Sequence, residues 1–193
     1  MGERRGVKYE ITYDEGVWYP APEQFPSAAW PDEASWAAAL VDAFEADLGA
    51  LSEDARAAVR EFAVMARLGR TPLATECLLF CPRGIPALGV AHVFIGEHGG
   101  GPLDLDHETA GDERALLPPA VIDFPSEHLG LGRRAAIVLP SSDPGIAAGR
   151  LNYVFDVDGL AVAVSGTADS ARDAGFMAPF LDELVRGIRI EAA

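Results

Sequence analysis

The sequence predicts an α+β fold: an antiparallel sheet of about six strands with helices packed on its faces. Leu151, Tyr153, Phe155 and Val157 alternate with polar neighbours, and Leu160, Val162 and Val164 repeat the pattern after Asp158-Gly159. That is a hairpin signature, because a two-residue type I′ turn needs positive φ and Gly takes it freely. Other strand-like runs follow one another at short intervals, which implies antiparallel pairing. Three stretches, at 32–48, 52–69 and 170–188, place apolar residues on one face at helical spacing. The chain reads as one domain over 1–193, with an aromatic, proline-rich arm at 18–31 and a flexible acidic loop at 96–118.

Val7, Tyr9, Ile11 and Tyr13 alternate with Lys8, Glu10 and Thr12, the period of a half-buried strand. From Trp18 to Trp36 the chain holds all three tryptophans, Tyr19, Phe25 and four prolines. The prolines exclude a regular helix or a central strand through most of this stretch. A first helix runs from about Asp32 to Leu48 and ends at Gly49, with Trp36, Leu40, Val41, Phe44 and Leu48 on one face. Ser52 caps a second, whose stripe is Val59, Phe62, Ala63 and Ala66 and whose stop is Gly69 with Pro72. The two helices are predicted to pack as a hairpin. Ala74–Cys81 and Leu88–Ile95 flank a turn carrying Gly84 and Pro86. Gly96–Pro118 shows no periodicity and carries Glu97, Asp104, Asp106, Glu108, Asp112 and Glu113 against Arg114 alone. Three consecutive glycines and mutually repelling acids predict a mobile loop there. Ala120–Phe124 and Arg134–Leu139 are two further strands, and Ser170–Ile188 is a closing amphipathic helix.

The run Gly149-Arg-Leu-Asn-Tyr-Val-Phe-Asp-Val-Asp-Gly-Leu-Ala-Val-Ala-Val-Ser-Gly-Thr-Ala, then a helix ending Leu184-Val-Arg-Gly-Ile-Arg-Ile, resembles the end of Mog1/PsbP-like proteins. The resemblance covers the last third of the chain. It implies an α/β/α sandwich and a partner-binding role without chemistry, and it assigns no functional residue.

Thirty acids against 15 bases give a formal charge of −15. Such a field repels nucleic acid and anionic membranes and favours basic protein partners. No apolar run is long enough to span a membrane, and the first residues show no secretion signal. With two cysteines, a reducing cytoplasm is the expected compartment.

Catalytic motifs are incomplete. His98-Gly99-Gly100-Gly101 is similar to the oxyanion loop of α/β-hydrolases, but no Gly-x-Ser-x-Gly elbow accompanies it: Ser165 precedes Gly166 with Ala163 two places back. His92, His98 and His107 lack ligand spacing. Asp104-x-Asp106-x-Glu108 opens like a calcium loop, yet Thr109 stands at its sixth position and Ala115 at its twelfth. Cys77 and Cys81 are separated by roughly 13 Å along one strand, too far for a disulfide, and are expected to be buried. Lys8 is the only lysine, so no phosphate loop exists, and Arg133-Arg134 is a lone basic pair.

The expectation is therefore a non-catalytic protein-binding module: an adaptor, a specificity chaperone or an immunity-type inhibitor, with no cofactor and no metal. Its expected contacts are Trp18, Tyr19, Phe25 and Trp30 in the arm and Asp104, Asp106 and Glu108 in the acidic loop. Trp and Tyr dominate many interfaces, and prolines lower the entropy lost on docking. The competing expectation for the arm is that it completes the protein's own core. The alternatives in function are a structural subunit of a larger assembly, a homo-oligomer among the expected associations, and a hydrolase using His98–Gly101.

Overall fold

The computed structural model describes residues 2–4, 7–83, 87–141 and 145–191, with backbone alone for 2–4. Ten strands and four helices follow the order β1(Gly2–Arg4), β2(Val7–Ile11), β3(Trp18–Pro20), α1(Glu33–Leu48), α2(Glu53–Leu68), β4(Glu76–Phe80), β5(Gly89–Glu97), α3(Leu105–Ala110), β6(Ala120–Ser126), β7(Gly130–Pro140), β8(Ala147–Val157), β9(Leu160–Ala168), α4(Ala171–Arg186) and β10(Ile188–Glu191). The fold is α+β. A seven-stranded antiparallel sheet has the order β3-β4-β5-β9-β8-β7-β6, and a small sheet has the order β1-β2-β10.

The β8–β9 hairpin forms where the alternation and the turn place it. Val157 pairs with Leu160, and Asp158 and Gly159 both take positive φ, +50° and +85°. The predicted turn residues Gly84 and Pro86, between β4 and β5, lie outside the described residues.

Each central strand presents one parity to each side of the sheet. On the first face Leu78, Phe80, Ala91, Val93, Val162, Val164, Leu151, Tyr153 and Phe155 are sealed beneath α4 and the small sheet, with Met177, Leu181, Leu184, Tyr9 and Ile188 above them. Gly149 and Gly166 sit under α4, where a Cβ would overlap Ala174 and Leu181 respectively, so the helix lies flush on β8 and β9. Helix α4 starts at its Ser170 cap but stops at Arg186. Ile188, expected as its last apolar residue, begins β10 instead, and the backbone bond from Thr12 to the Gly187 carbonyl (3.0 Å) starts the pairing with β2.

The opposite face is covered only at its flanks. The α1–α2 hairpin packs Trp36, Leu40, Val41, Val59, Ala63 and Ala66 onto Cys77 and Leu79 of β4. Its helices are tied by Arg56–Glu45 and Arg67–Glu33, each at 2.7 Å. At the far side Ala115, Val121 and Ala148 pack on Ala135, Ile137 and Leu139, and α3 rests on β7 and β8.

Candidate binding surfaces

The aromatic arm is part of the domain. Its first three residues, Trp18–Pro20, are the edge strand β3, and strand alternation sends its aromatics to opposite faces. Trp18 is 2% exposed and packs against Phe80, ring centroids 5.2 Å apart, in the core beneath α4. This corrects its assignment as a partner contact: a side chain sealed in the core has no surface to offer. Tyr19, Phe25 and Trp30 are half-buried against the α1–α2 core. Their rings gather around one another and Trp36, with Tyr19–Trp30 at 5.7 Å and Phe25–Trp36 at 6.2 Å. Trp36, fully buried, donates its indole N–H to the Pro20 carbonyl at 3.0 Å and so covers the sheet edge. Two arginines of the α2 end hold the arm down. Arg67 lies over the Phe25 ring at 4.9 Å, and Arg70 donates to the carbonyls of Ala21 (3.0 Å) and Thr75 (3.1 Å). A cleft of about 400 Å³ remains between Trp30, Glu23, Arg70 and Glu76. A smaller, largely apolar one of about 120 Å³ lies between β3 and the end of α1, with the Asp47–Arg83 pair (3.2 Å) among its lining.

The acidic segment also departs from the sequence reading. Gly96 and Glu97 belong to β5, and Leu105–Ala110 forms α3. Asp104 caps that helix by accepting from the His107 N–H at 3.1 Å. Asp106 accepts from Arg133 at 2.6 Å, while Glu108 is exposed. Thr109 is 0% exposed, and its carbonyl accepts from the Asn152 amide at 3.0 Å. Asp112 is 8% exposed in its side chain and takes both Arg114 (3.0 Å) and Arg150 (2.6 Å). The Arg114 hydrogen bonds, backed by Arg150, hold its carboxyl down at about 2. Part of the predicted loop, Leu105–Ala110, is thus a helix fastened to β7 and β8. Six residues are too few to show a helical period, and two of the three arginines that neutralise these acids, Arg133 and Arg150, come from elsewhere in the chain.

His98 directs Nε2 to Asp156 at 2.9 Å, and Asp156 also accepts from the Leu103 N–H at 3.3 Å. The histidine bond is the main reason the Asp156 carboxyl lies below its usual range. The pair closes the base of the Gly99–Gly101 loop, so His98 has a structural partner in place of a hydroxyl nucleophile. Burial pushes the thiols of Cys77 and Cys81 up to about 11 and about 12, which leaves both as poor nucleophiles. Both are free; Cys77 is buried, whereas Cys81 lies just beyond β4 and is half-buried, less enclosed than expected. Among the described residues no three His, Cys, Asp or Glu side chains gather as a metal site, and no helix is long and apolar enough to cross a membrane.

A third surface escaped the sequence reading. Between α2 on one flank and α3 on the other, the outward residues of β5, β9 and β8 line an open trough. Register aligns Cys77, His92, Ser165, Asn152 and Ala135 in one row across five strands. Within the row Ser165 donates to the Asn152 side-chain oxygen at 2.9 Å. His92 Nε2 is buried without a hydrogen-bond partner among the described residues. Burial first, and Arg70 second, keep the His92 imidazole below its usual range and hence neutral. The next row is apolar, with Phe94, Ala163 and Val154 in register. Toward the start of β8 the trough deepens into a cavity of about 230 Å³ lined by Phe62, Val90, Arg114, Leu139, Arg150 and Thr167, among others. The single sequence signal for this surface was the alternation in β5 and β9, which carries His92, Ser165 and Thr167 on one parity. Alternation says that one face is distinct from the other; it does not say what covers it.

No family model matches the chain, and no curated protein matches it.

Proposed function

We propose that the chain is a non-catalytic binding module, of adaptor, chaperone or inhibitor type, and that it docks its partner in the trough and not on the arm. One observation carries the reading. The outward residues of β9, namely Ala161, Ala163, Ser165 and Thr167, are only half-buried while both flanks of the same sheet face are covered. A helix pair and a fastened loop leave a grooved, partly apolar sheet face between them, the kind of concavity that ligands and peptides occupy. Catalysis has less support: the thiols are poor nucleophiles, Ser165 donates to an amide and not to a base, and His98 is paired with the half-buried Asp156 carboxylate. The α/β/α sandwich of Mog1/PsbP-like proteins is compatible with helices on both faces of an antiparallel sheet, and we propose that kinship on the β8–β9 hairpin and α4. The −15 charge favours a partner that is basic around its docking element.

The test is affinity capture from the native host with mass spectrometry, comparing wild type with Ala163→Arg and Tyr19→Ala. An arginine at 163 would lie across the trough floor. Loss of the captured partner with an unchanged melting temperature supports the trough. Retention by Ala163→Arg together with loss by Tyr19→Ala returns the docking role to the arm. A second reading, a subunit of a homo-oligomer, is favoured by Met65, Leu68 and Leu73, which are 60–70% exposed near the end of α2. Light scattering on the purified chain decides it: a mass of one chain, 20.4 kDa, at high concentration removes that reading.

A further inference from the structure

The deep end of the trough has a chemistry unlike the rest of this acidic molecule. Two arginines, Arg114 and Arg150, surround one carboxylate, Asp112, so the cluster carries one net positive charge. Arg150 commits Nη1 to Asp112, and its Nε is buried with no partner among the described residues. A guanidinium is an obligate donor, and a donor left unmatched on a charged group is costly. Asp169 lies at the rim of the same cavity and is exposed. The lining also includes apolar side chains, Phe62 from α2, Val90 from β5 and Leu139 from β7.

We propose that this cavity binds a carboxylate carried on a short apolar group, with the acid at Arg114 and Arg150 and the apolar part against Phe62, Val90 and Leu139. The proposal deepens the trough reading and rests on it. Carboxylate is preferred because planar guanidinium groups bind it through paired, charge-assisted hydrogen bonds. The cavity, about 230 Å³ and open to solvent, has room for a short acid such as hexanoate. The same chemistry is offered by a free short-chain acid and by the last residue of a polypeptide ending in Leu or Val.

The experiment titrates isotopically labelled protein with hexanoate, hexanol and hexylammonium and follows backbone amide shifts. Hexanoate is expected to move the amides of Val90, Arg150 and Thr167, with the other two probes at least tenfold weaker. Arg114→Gln is expected to weaken hexanoate about tenfold. Its guanidinium is exposed and, among the described residues, bonds Asp112 alone, so its loss leaves the core intact. Equal binding of hexanoate and hexanol overturns the carboxylate site and leaves the trough reading standing. Absence of any shift at these amides, or shifts confined to another surface, overturns the site, and the Ala163→Arg capture experiment then decides the trough separately. Adding N-acetyl-leucine and a tetrapeptide ending in leucine separates the sources. Tighter binding by the peptide than by hexanoate assigns a chain terminus, and the reverse assigns a free acid.

Discussion

Trp18 and His92 show how single residues acquire opposite weights from the same strand rule. Trp18 points inward from β3 and fills the core next to Phe80. Replacing it with Ala should cost about 3–5 kcal/mol, the usual penalty for emptying a buried aromatic site, and urea denaturation measures it. A loss under about 1 kcal/mol, the range of an ordinary surface change, would mean that Trp18 is not in the core. His92 points outward into the trough yet is held neutral, chiefly by burial. Its folded pKa is lowered, so near pH 6 and below the unfolded chain binds the extra proton. Stability is then full above the unfolded value, about 6.5, and is lost as pH falls from there toward the folded value. Arg70 is the charged group acting on the ring, and the neighbouring Cys77 thiol is neutral in this range. Denaturation midpoints should fall more steeply from pH 8 to 5 in wild type than in His92→Leu. Equal slopes in the two proteins would remove His92 as the cause. Asp112 acts in a separate window, because its stabilising charge is lost only as pH falls below about 4 toward 2.

At the scale of elements, α3 is the point where sequence and structure part most. Its own sequence, Leu-Asp-His-Glu-Thr-Ala, is short and acidic, and isolated helices of this length do not persist in water. It persists here because Asp104 caps it, Thr109 is buried under it and Arg133 and Asn152 hold it to the sheet. Hydrogen exchange should therefore show slow amides at His107 and Glu108, whose N–H groups bond Asp104, and fast ones at Gly99 and Gly101. Limited proteolysis should cut within His98–Pro102 before it cuts α3. Uniformly fast exchange from 96 to 118 would restore the mobile loop that composition alone predicts. The β8–β9 hairpin is the converse case, since its turn, register and alternation were all readable within 20 consecutive residues.

For the whole molecule the dominant quantity is charge. A net −15 on 193 residues makes the folded state repel itself, and salt screens that repulsion. Melting temperature should rise as sodium chloride goes from about 10 to about 300 mM, a range across which the screening length falls below the size of a domain. A flat or falling trend would show that local pairs such as Arg133–Asp106 and Arg67–Glu33 outweigh the net field. The same salt series weakens hexanoate at Arg114 and Arg150, so the two responses have opposite signs in one titration.

Local chemistry was enough to read the helices at 33–48 and 53–68, the Ser52 cap, the β8–β9 hairpin and the α+β class. Each of these depends on residues a few positions apart, and periodicity and capping act at that range. What only the tertiary structure decided depends on residues far apart in the chain. Trp36 covers the β3 edge from 16 positions away, Arg70 holds the arm from 49 away, and Arg150 reaches Asp112 from 38 away. The trough belongs to the same class. Its row joins Cys77, His92, Asn152 and Ser165 only because β9 inserts between β5 and β8, and its openness depends on where two helices and one fastened loop stop short. Alternation within a strand marks two faces; the area each face leaves uncovered is set by elements folded over it from elsewhere in the sequence.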